Sequence, residues 1–379
     1  MEKVIPSIQM VDLKGQYAKL KEEIDQSIHE VIDSCAFING PKVKSFKASM
    51  EAYLGAKYVI PCANGTDALQ IAMMALDLKP GDEVIVPAFT YVATAEVIAL
   101  LGFQPIMVDV DPDTFNITAD IVEAAITPKT RAIVPVHLFG QSCDMAPIMA
   151  LAEKHNLWVI EDNAQAIGAD YTYPDGRVVK TGLLGHIGGT SFYPSKNLGA
   201  YGDGGALYTN DDDLGPKLQM IANHGQNKRY YHAMVGVNSR LDSFQAAVLD
   251  IKLKHLDEYA AARRKAADFY DQAFADMSDK LVTPVRSSFS SHVFHQYTLK
   301  VKTGQRDQMP DFLRERGVPS MIYYPVPLYE QEAFKAQTNV DFLPVTDQLC
   351  KEVISLPMHT ELDEDALQYI VETVKSFFA

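Results

Sequence analysis

Lys196 stands in the run Ser191-Phe192-Tyr193-Pro194-Ser195-Lys196, ahead of a stretch holding Gly199, Gly202, Gly204 and Gly205. Pro194 fixes the backbone before the lysine, and the glycines permit close backbone approach after it. A lysine held in such a protected pocket loses proton affinity and can condense with an aldehyde; a lysine on its own is usually a solvated cation. Asp162 closes the apolar run Trp158-Val159-Ile160-Glu161-Asp162. A carboxylate there is costly unless it is paired or stands at the mouth of a strand. It suits a helix cap or a salt bridge. It equally suits a protonated heterocyclic nitrogen, which lets a ring accept the electrons of a carbanion. Gln165 follows three residues later, within reach of a ring hydroxyl.

Two further pieces suit an anion and a ring. Asn64-Gly65-Thr66-Asp67 opens a helix-like stretch. The free N–H groups of a helix start bind phosphate, and Gly65 allows close approach, although the same residues also read as a plain N-cap. Ser191 offers a hydroxyl suited to a phosphate oxygen. Tyr91, in PAFTYVAT, follows a strand-like run and could stack on a ring or simply pack in the core.

These residues need a scaffold that brings them together. YVIPCA (58–63), VIVPA (84–88), PIMVDV (105–110), AIVPVHL (132–138) and WVIED (158–162) are short apolar runs that alternate with helical patterns. TSFYP and GGALYTN read as two more closely spaced strands. Such runs suit strands buried on both faces of a mostly parallel sheet, whose ligands bind beyond the carboxyl ends. From about residue 240 the pattern becomes one long helix, with room for a break, and then mixed strands (QYTLKV, SMIYYP) and helices. The expectation is an α/β protein with a large domain over residues 1–252 and a smaller α+β domain over 253–379.

Composition narrows the chemistry. The 379 residues are too many for one small core, and the net charge of −15 disfavours nucleic acid or an anionic membrane as partner. No apolar run reaches the length of a bilayer span, and the opening MEKVIPSIQMVDLKGQY lacks the apolar core of a signal peptide. Cys35, Cys62, Cys143 and Cys350 show no metal spacing and read as reduced, buried thiols of a cytoplasmic protein. The first strand–helix junction reads ANGTDAL, not G-x-G-x-x-G, so a dinucleotide oxidoreductase is disfavoured, and no His/Asp/Glu cluster has metal-ligand spacing.

Taken in order, VDLKGQY, FINGPKV, ANGTDAL, PAFTYVATAE, the ED-x-AQ segment, FYPSKNLGAYGDGG, VGVNSRLDSFQAAVL and SLPMH resemble the DegT–DnrJ–StrS sugar aminotransferases nearly end to end. That resemblance implies the aspartate-aminotransferase fold, type I, of pyridoxal phosphate enzymes. It implies that Lys196 binds the cofactor as a Schiff base and then moves protons. By the same resemblance, Asp162 pairs with the ring nitrogen, Gln165 neighbours the ring oxygen and Tyr91 covers the ring face. Gly65, Thr66 and Ser191 would hold the phosphate. Asn238, otherwise a turn residue, would reach the phosphate of the other subunit in a homodimer with shared sites.

Within the family the chain looks closest to the enzymes acting on UDP-2-acetamido-3-oxo-glucuronate for surface polysaccharide, with glutamate as donor. Arg229 then suits a sugar carboxylate, with Tyr230 beside it, although Lys228-Arg229 also reads as a solvated loop. Tyr323, Tyr324 and His359 are the remaining substrate candidates, although His359 also reads as a satisfied structural histidine. Tyr323 stands where that subgroup commonly has histidine, and Asn163 where alanine or cysteine is common. Other readings are amination at C3 or C4 of another dTDP-, GDP- or UDP-hexose, or a regulatory relative that binds the cofactor without turnover.

Overall fold

The computed structural model describes residues 8–338 and 340–379. The runs predicted as strands become β1 (Tyr58–Cys62), β2 (Glu83–Pro87), β3 (Gln104–Val108), β4 (Thr130–Ile133) and β5 (Trp158–Asp162). A hairpin of β6 (Asp170–Thr172) and β7 (Val178–Lys180) follows, and then β8 (Ile187–Ser191) and β9 (Gly205–Thr209). Seven of these form one sheet in the order β1-β9-β8-β5-β4-β2-β3. β9 runs antiparallel to both neighbours and the remaining pairs are parallel. The carboxyl ends of β1, β8, β5 and β2 therefore share an edge with the start of β9. Asn64, Ser191, Asp162 and Tyr91 come from that edge.

Both faces of the sheet are covered, which is why its strands are apolar throughout rather than alternating. Helices Gly65–Ala75, Ala93–Leu100 and Leu214–Ala222 pack on one face through residues such as Leu69, Ile98 and Leu218. Helices Ala119–Ala125 and Met145–His155 cover part of the other through Val122, Ile148 and Leu151. The predicted long helix is two, Ser243–Leu253 and Leu256–Ala273, broken at Lys254–His255. The expected domain boundary falls in the last turn of the first.

A second exposed hairpin pairs β10 (Gln226–Lys228) with β11 (Tyr231–His232). The carboxyl-terminal region holds a separate sheet of β12 (Leu281–Val282), β13 (Tyr297–Val301) and β14 (Val353–Leu356), backed by helix Glu364–Phe377. Its core joins Leu299, Ile354, Ile370 and Val374.

Several expectations needed correction. The strand expected over 132–138 ends at Ile133; Pro135 offers no N–H to a ladder, and only a bridge from Val136 to Asp162 continues the pairing. TSFYP is the end of β8, which stops at Ser191 before Pro194. SMIYYP makes a single bridge, Met321 to Ser355, and then turns to line the site. Cys62, Cys143 and Cys350 are buried free thiols, but Cys35 is exposed at the end of helix Leu13–Ser34. The signal-peptide reading falls partly on residues 1–7, outside the described residues. Among the described residues no helix is long and apolar enough to cross a membrane.

Candidate active site

Beyond the shared edge lies a cavity of about 840 Å³. It collects Gly65, Thr66, Tyr91, Asp162, Gln165, Ser191 and Lys196 from the sheet, with Tyr323 and Tyr324 from the carboxyl-terminal region.

The phosphate end follows from backbone approach. Asn64 caps helix Gly65–Ala75, its Oδ1 accepting from the Asp67 N–H at 2.8 Å. A Cβ on Gly65 would lie 2.6 Å from the Ser191 Cβ, and one on Gly205 would lie 2.4 Å from the Asn64 carbonyl carbon. Glycine at both positions lets the helix start, Ser191 and β9 close into one cradle. The Ser191 oxygen accepts from the Tyr193 N–H at 3.2 Å, which leaves its own hydrogen for a ligand.

The carboxylate end is held firmly. Asp162 is buried; its Oδ2 accepts from the Thr94 hydroxyl at 2.7 Å and its Oδ1 from the Ala164 N–H at 3.1 Å. Gln165 Oε1 accepts from the Phe139 N–H at 2.8 Å, so its amide nitrogen faces the other way and donates to the Tyr324 hydroxyl at 3.1 Å. Burial pushes the Tyr324 phenol well above its ordinary range. Tyr91 is 57% exposed at the cavity wall, its ring 6.5 Å from that of Tyr324, so it is no core residue.

Lys196 opens onto the same cavity. Burial pulls its pKa down from 10.5 to about 8, against the opposing pull of Asp162. No side chain or carbonyl among the described residues accepts a hydrogen bond from its amine. An unpartnered amine of lowered proton affinity, across from a fixed carboxylate, gives up its proton more readily than a solvated lysine and is then equipped to attack a carbonyl carbon.

The remaining sequence candidates lie elsewhere. Arg229 and Tyr230 sit on the exposed β10–β11 hairpin, and Tyr230 is 78% exposed. Asn238 is exposed and bridges to Asn223. None of the three lines this chain's own cavity. His359, a substrate candidate that also reads as structural, does not line the cavity and lies beside Arg263. Its Nδ1 accepts from the Glu361 N–H at 3.2 Å, and burial and the Arg263 guanidinium push its pKa to about 4. It follows β14 into a chain turn whose Met358 carbonyl is bound by Arg263 at 2.9 Å. Asn163 turns away from the cavity and donates to Thr181 O and the Tyr208 hydroxyl. His137 is structural: its Nδ1 accepts from the Cys143 N–H at 3.1 Å and its Nε2 donates to Glu161 at 2.7 Å. Sequence reasoning missed Thr94, Tyr193, Asp203 and His295. Thr94 lies three residues after Tyr91, one helical turn on, and that spacing was a usable signal. Nothing in the spacing of His295 marked it.

The model of the DegT/DnrJ/EryC1/StrS aminotransferase family matches residues 18–375. The chain belongs to that family. It is 48% identical to a pleiotropic regulatory protein of Geobacillus stearothermophilus, over 98% of this chain and 99% of that one. It is 46% identical to the UDP-2-acetamido-2-deoxy-3-oxo-D-glucuronate aminotransferase of Pseudomonas aeruginosa, over 96% and 98%. It is 44% identical to a UDP-N-acetyl-3-dehydro-alpha-D-glucosamine 3-aminotransferase of Acidithiobacillus ferrooxidans, over 97% of each. Among solved structures, a family aminotransferase from Brucella abortus superposes with a TM-score of 0.92 at 39% identity, covering 98% of this chain and 99% of that one. Spr1654 of Streptococcus pneumoniae, in its PLP form, superposes at 0.86 with 26% identity over 94% and 95%.

As a family member the chain is a pyridoxal-phosphate-dependent sugar aminotransferase, with the fold the family resemblance implied. The residues present fit the cofactor: a glycine-opened cradle for a phosphate, a fixed buried carboxylate and a free amine surround one cavity. Pyridoxal phosphate, when bound, supplies an aldehyde carbon and an electron-accepting ring. The helix start at Gly65–Thr66 and Ser191 would hold its phosphate, Asp162 its ring nitrogen, Gln165 its ring oxygen and Tyr91 its face. The Lys196 amine would stand where it could hold the aldehyde and move a proton as base and then as acid.

Proposed function

We propose that this aminotransferase places an amino group at C3 of UDP-2-acetamido-3-oxo-glucuronate, taking it from glutamate, in a pathway to surface polysaccharide. Lys196 is the catalytic residue of this reading. The observation that carries it is the 46% identity, over nearly all of both chains, to the Pseudomonas enzyme named for that sugar. The Acidithiobacillus relative, named for a 3-aminotransferase of a UDP-linked sugar, supports the same carbon. Free cysteines accord with a cytoplasmic setting.

The charge of the cavity supports a homodimer with shared sites. The cofactor phosphate, a sugar diphosphate and a uronate bring several negative charges. The cavity's own charged residues are Asp67, Asp162, Asp203 and the single cation Lys196. Further cations must come from outside it. Arg229 and Lys228 stand on an exposed hairpin without a carboxylate partner among the described residues, beside the exposed Tyr230 and Tyr231, and Asn238 follows. In this reading the hairpin of a second copy brings Arg229 and Tyr230 to the sugar and Asn238 to the phosphate. Tyr323 and Tyr324 face the sugar from the chain's own side.

The decisive assay offers the purified enzyme glutamate with a panel of keto-sugar nucleotides and detects amino-sugar by mass. Turnover of the 3-oxo-uronate above neutral dTDP-, GDP- and UDP-hexoses is expected. Turnover of a neutral hexose with an inert uronate would replace this substrate. The Geobacillus relative's name raises a regulatory reading. Bleaching of the bound chromophore by glutamate separates catalysis from silent binding.

A further inference from the structure

Lys252 is buried in the last turn of helix Ser243–Leu253, and no carboxylate among the described residues pairs with it. Lysine is seldom enclosed without such a partner, because its ammonium gives up its hydration. Its Nζ donates instead to the Gly199 carbonyl, three residues after Lys196, and lies 5.5 Å from the centre of the Tyr201 ring. Burial and then the Arg263 guanidinium pull its pKa from 10.5 to about 8. Lys252 does not line the cavity, so no step of the chemistry uses it directly.

The carbonyl that Lys252 holds belongs to the turn that carries Lys196. The Lys196 N–H donates to the Tyr193 carbonyl at 2.8 Å, and the Ala200 N–H donates to the Phe192 carbonyl at 2.7 Å. A Cβ on Gly199 would lie 2.2 Å from the Pro194 oxygen, so the two arms of the turn touch with Lys196 between them. One arm continues from β8. The other is fastened to the helix at two points. Gln245 stands seven residues before Lys252, two turns back on the same face. Its Oε1 accepts from the Tyr201 N–H at 2.8 Å and its Nε2 donates to the Tyr201 carbonyl at 3.2 Å. Lys252 is the point nearer to Lys196 in sequence. An apolar side chain would fill its place without desolvating a charge, so packing alone does not account for a lysine there.

We propose that Lys252 is a positioning residue for Lys196: by holding the Gly199 carbonyl, it fixes the turn that presents the Lys196 amine to the cavity. No bond of Lys252 changes in the reaction, and it acts through the backbone of residues 196–199. The inference rests on Lys196 being the residue that captures the cofactor's aldehyde, and the test separates the two.

The test compares two probes in the cofactor-free full chain. Pyridoxal phosphate carries the aldehyde; pyridoxine phosphate has the same ring and phosphate with an alcohol in its place. In the parent the aldehyde should bind far more tightly, and a ratio of affinities near one would remove the Lys196 reading and this inference with it. Lys252→Met keeps the length and apolar volume and removes the donor; Lys252→Gln keeps a neutral donor. In Lys252→Met the ratio should fall about tenfold, the scale of one hydrogen bond to a charged group, while pyridoxine phosphate binds as in the parent. In Lys252→Gln the ratio should stay within about threefold of the parent. Equal weakening of both probes, or an unchanged ratio in Lys252→Met, would mean that Lys252 only fills the core and would overturn the proposal. Hydrogen exchange of cofactor-free Lys252→Met should quicken in residues 192–201 and not in β13 and β14; quickening throughout would likewise overturn it. Where Lys252→Met fails to fold, the unaltered chain still decides. Lys252 should resist acetic anhydride at a pH where the exposed Lys254 is acetylated, and ready labelling of Lys252 would show that it does not hold the turn.

Discussion

The Thr94 hydroxyl and the Asp162 carboxylate meet at 2.7 Å in a place from which water is nearly excluded. Thr94 leaves the sheet one turn after Tyr91, so a single helix start supplies both the exposed ring at the cavity wall and the donor that holds the carboxylate.

Thr94→Val keeps the shape and removes that donor. Hydrogen bonds to charged groups contribute about 1.5–3 kcal/mol, so the variant should bind pyridoxal phosphate about tenfold to a hundredfold more weakly. Thr94→Ser retains the hydroxyl and should stay within about threefold. Absorbance titration of cofactor-free protein measures both. Parent-like affinity in Thr94→Val would show that the Ala164 N–H alone suffices to orient Asp162.

Acid should unfold this protein early. Burial pushes the pKa of His292 to about 3 and of His359 to about 4, and that of His295 well below 6.5. Between those values and 6.5 the unfolded chain binds more protons than the folded one, so stability falls as pH drops. Each histidine contributes a slope of up to about 1.4 kcal/mol per pH unit in its window. Melting temperatures from pH 7 to 5 should fall steadily, and less steeply in His359→Gln. An unchanged slope in that variant would remove His359 from the account.

Much of this site was legible in one dimension because its residues sit at strand ends. Asp162, Ser191 and Tyr91 each end or follow an apolar run, and Asn64-Gly65-Thr66 starts the helix after another. A parallel sheet brings such positions to one edge whatever their separation in sequence. The residues that were not legible depend on tertiary folding. His295 comes into place because the segment before β13 wraps back onto the Lys196 loop, a contact across about a hundred positions that leaves no periodic trace. His359 had two readings in the sequence, and its surroundings fit the structural one: its ring lies beside Arg263 and does not line the cavity. SMIYYP had the composition of a strand, but its Tyr324 hydroxyl accepts from the Gln165 amide in place of a ladder.

Gly65 and Gly205 should separate binding from folding. A Cβ at Gly65 meets the Ser191 side chain, in the cradle itself. Gly65→Ala should fold and lose phosphate affinity, read by competition of inorganic phosphate with the cofactor. A Cβ at Gly205 meets the Asn64 backbone, which cannot give way without moving the helix start. Gly205→Ala should lose about 1–3 kcal/mol in urea unfolding, the range for forced overpacking. Equal effects of the two on affinity and on stability would contradict the separate roles.

The last contrast lies between neighbours on β5. Successive strand residues point to opposite faces. Asp162 faces the cavity, and the fully buried Glu161 faces the turn after β7. There Glu161 accepts from the N–H groups of Gly182 at 2.7 Å, Leu184 at 2.6 Å and Gly185 at 2.5 Å, and from His137 Nε2 at 2.7 Å. Four donors converge on two oxygens. Glu161→Gln would turn one oxygen into an amide donor aimed at other donors and leave buried N–H groups unpaired. A loss of about 3 kcal/mol or more in urea unfolding is expected. Asp162→Asn keeps an oxygen for the Ala164 N–H and an amide donor for the Thr94 hydroxyl, which can accept as well as donate, so both bonds survive in neutral form and stability should stay within about 2 kcal/mol of the parent. Its glutamate-driven bleaching should nevertheless fall by about a hundredfold or more, the scale of a lost charge on a reacting ring. If Glu161→Gln were as stable as the parent, the turn after β7 would have to find its acceptors elsewhere, and the division between a structural and a chemical carboxylate on adjacent residues would fail.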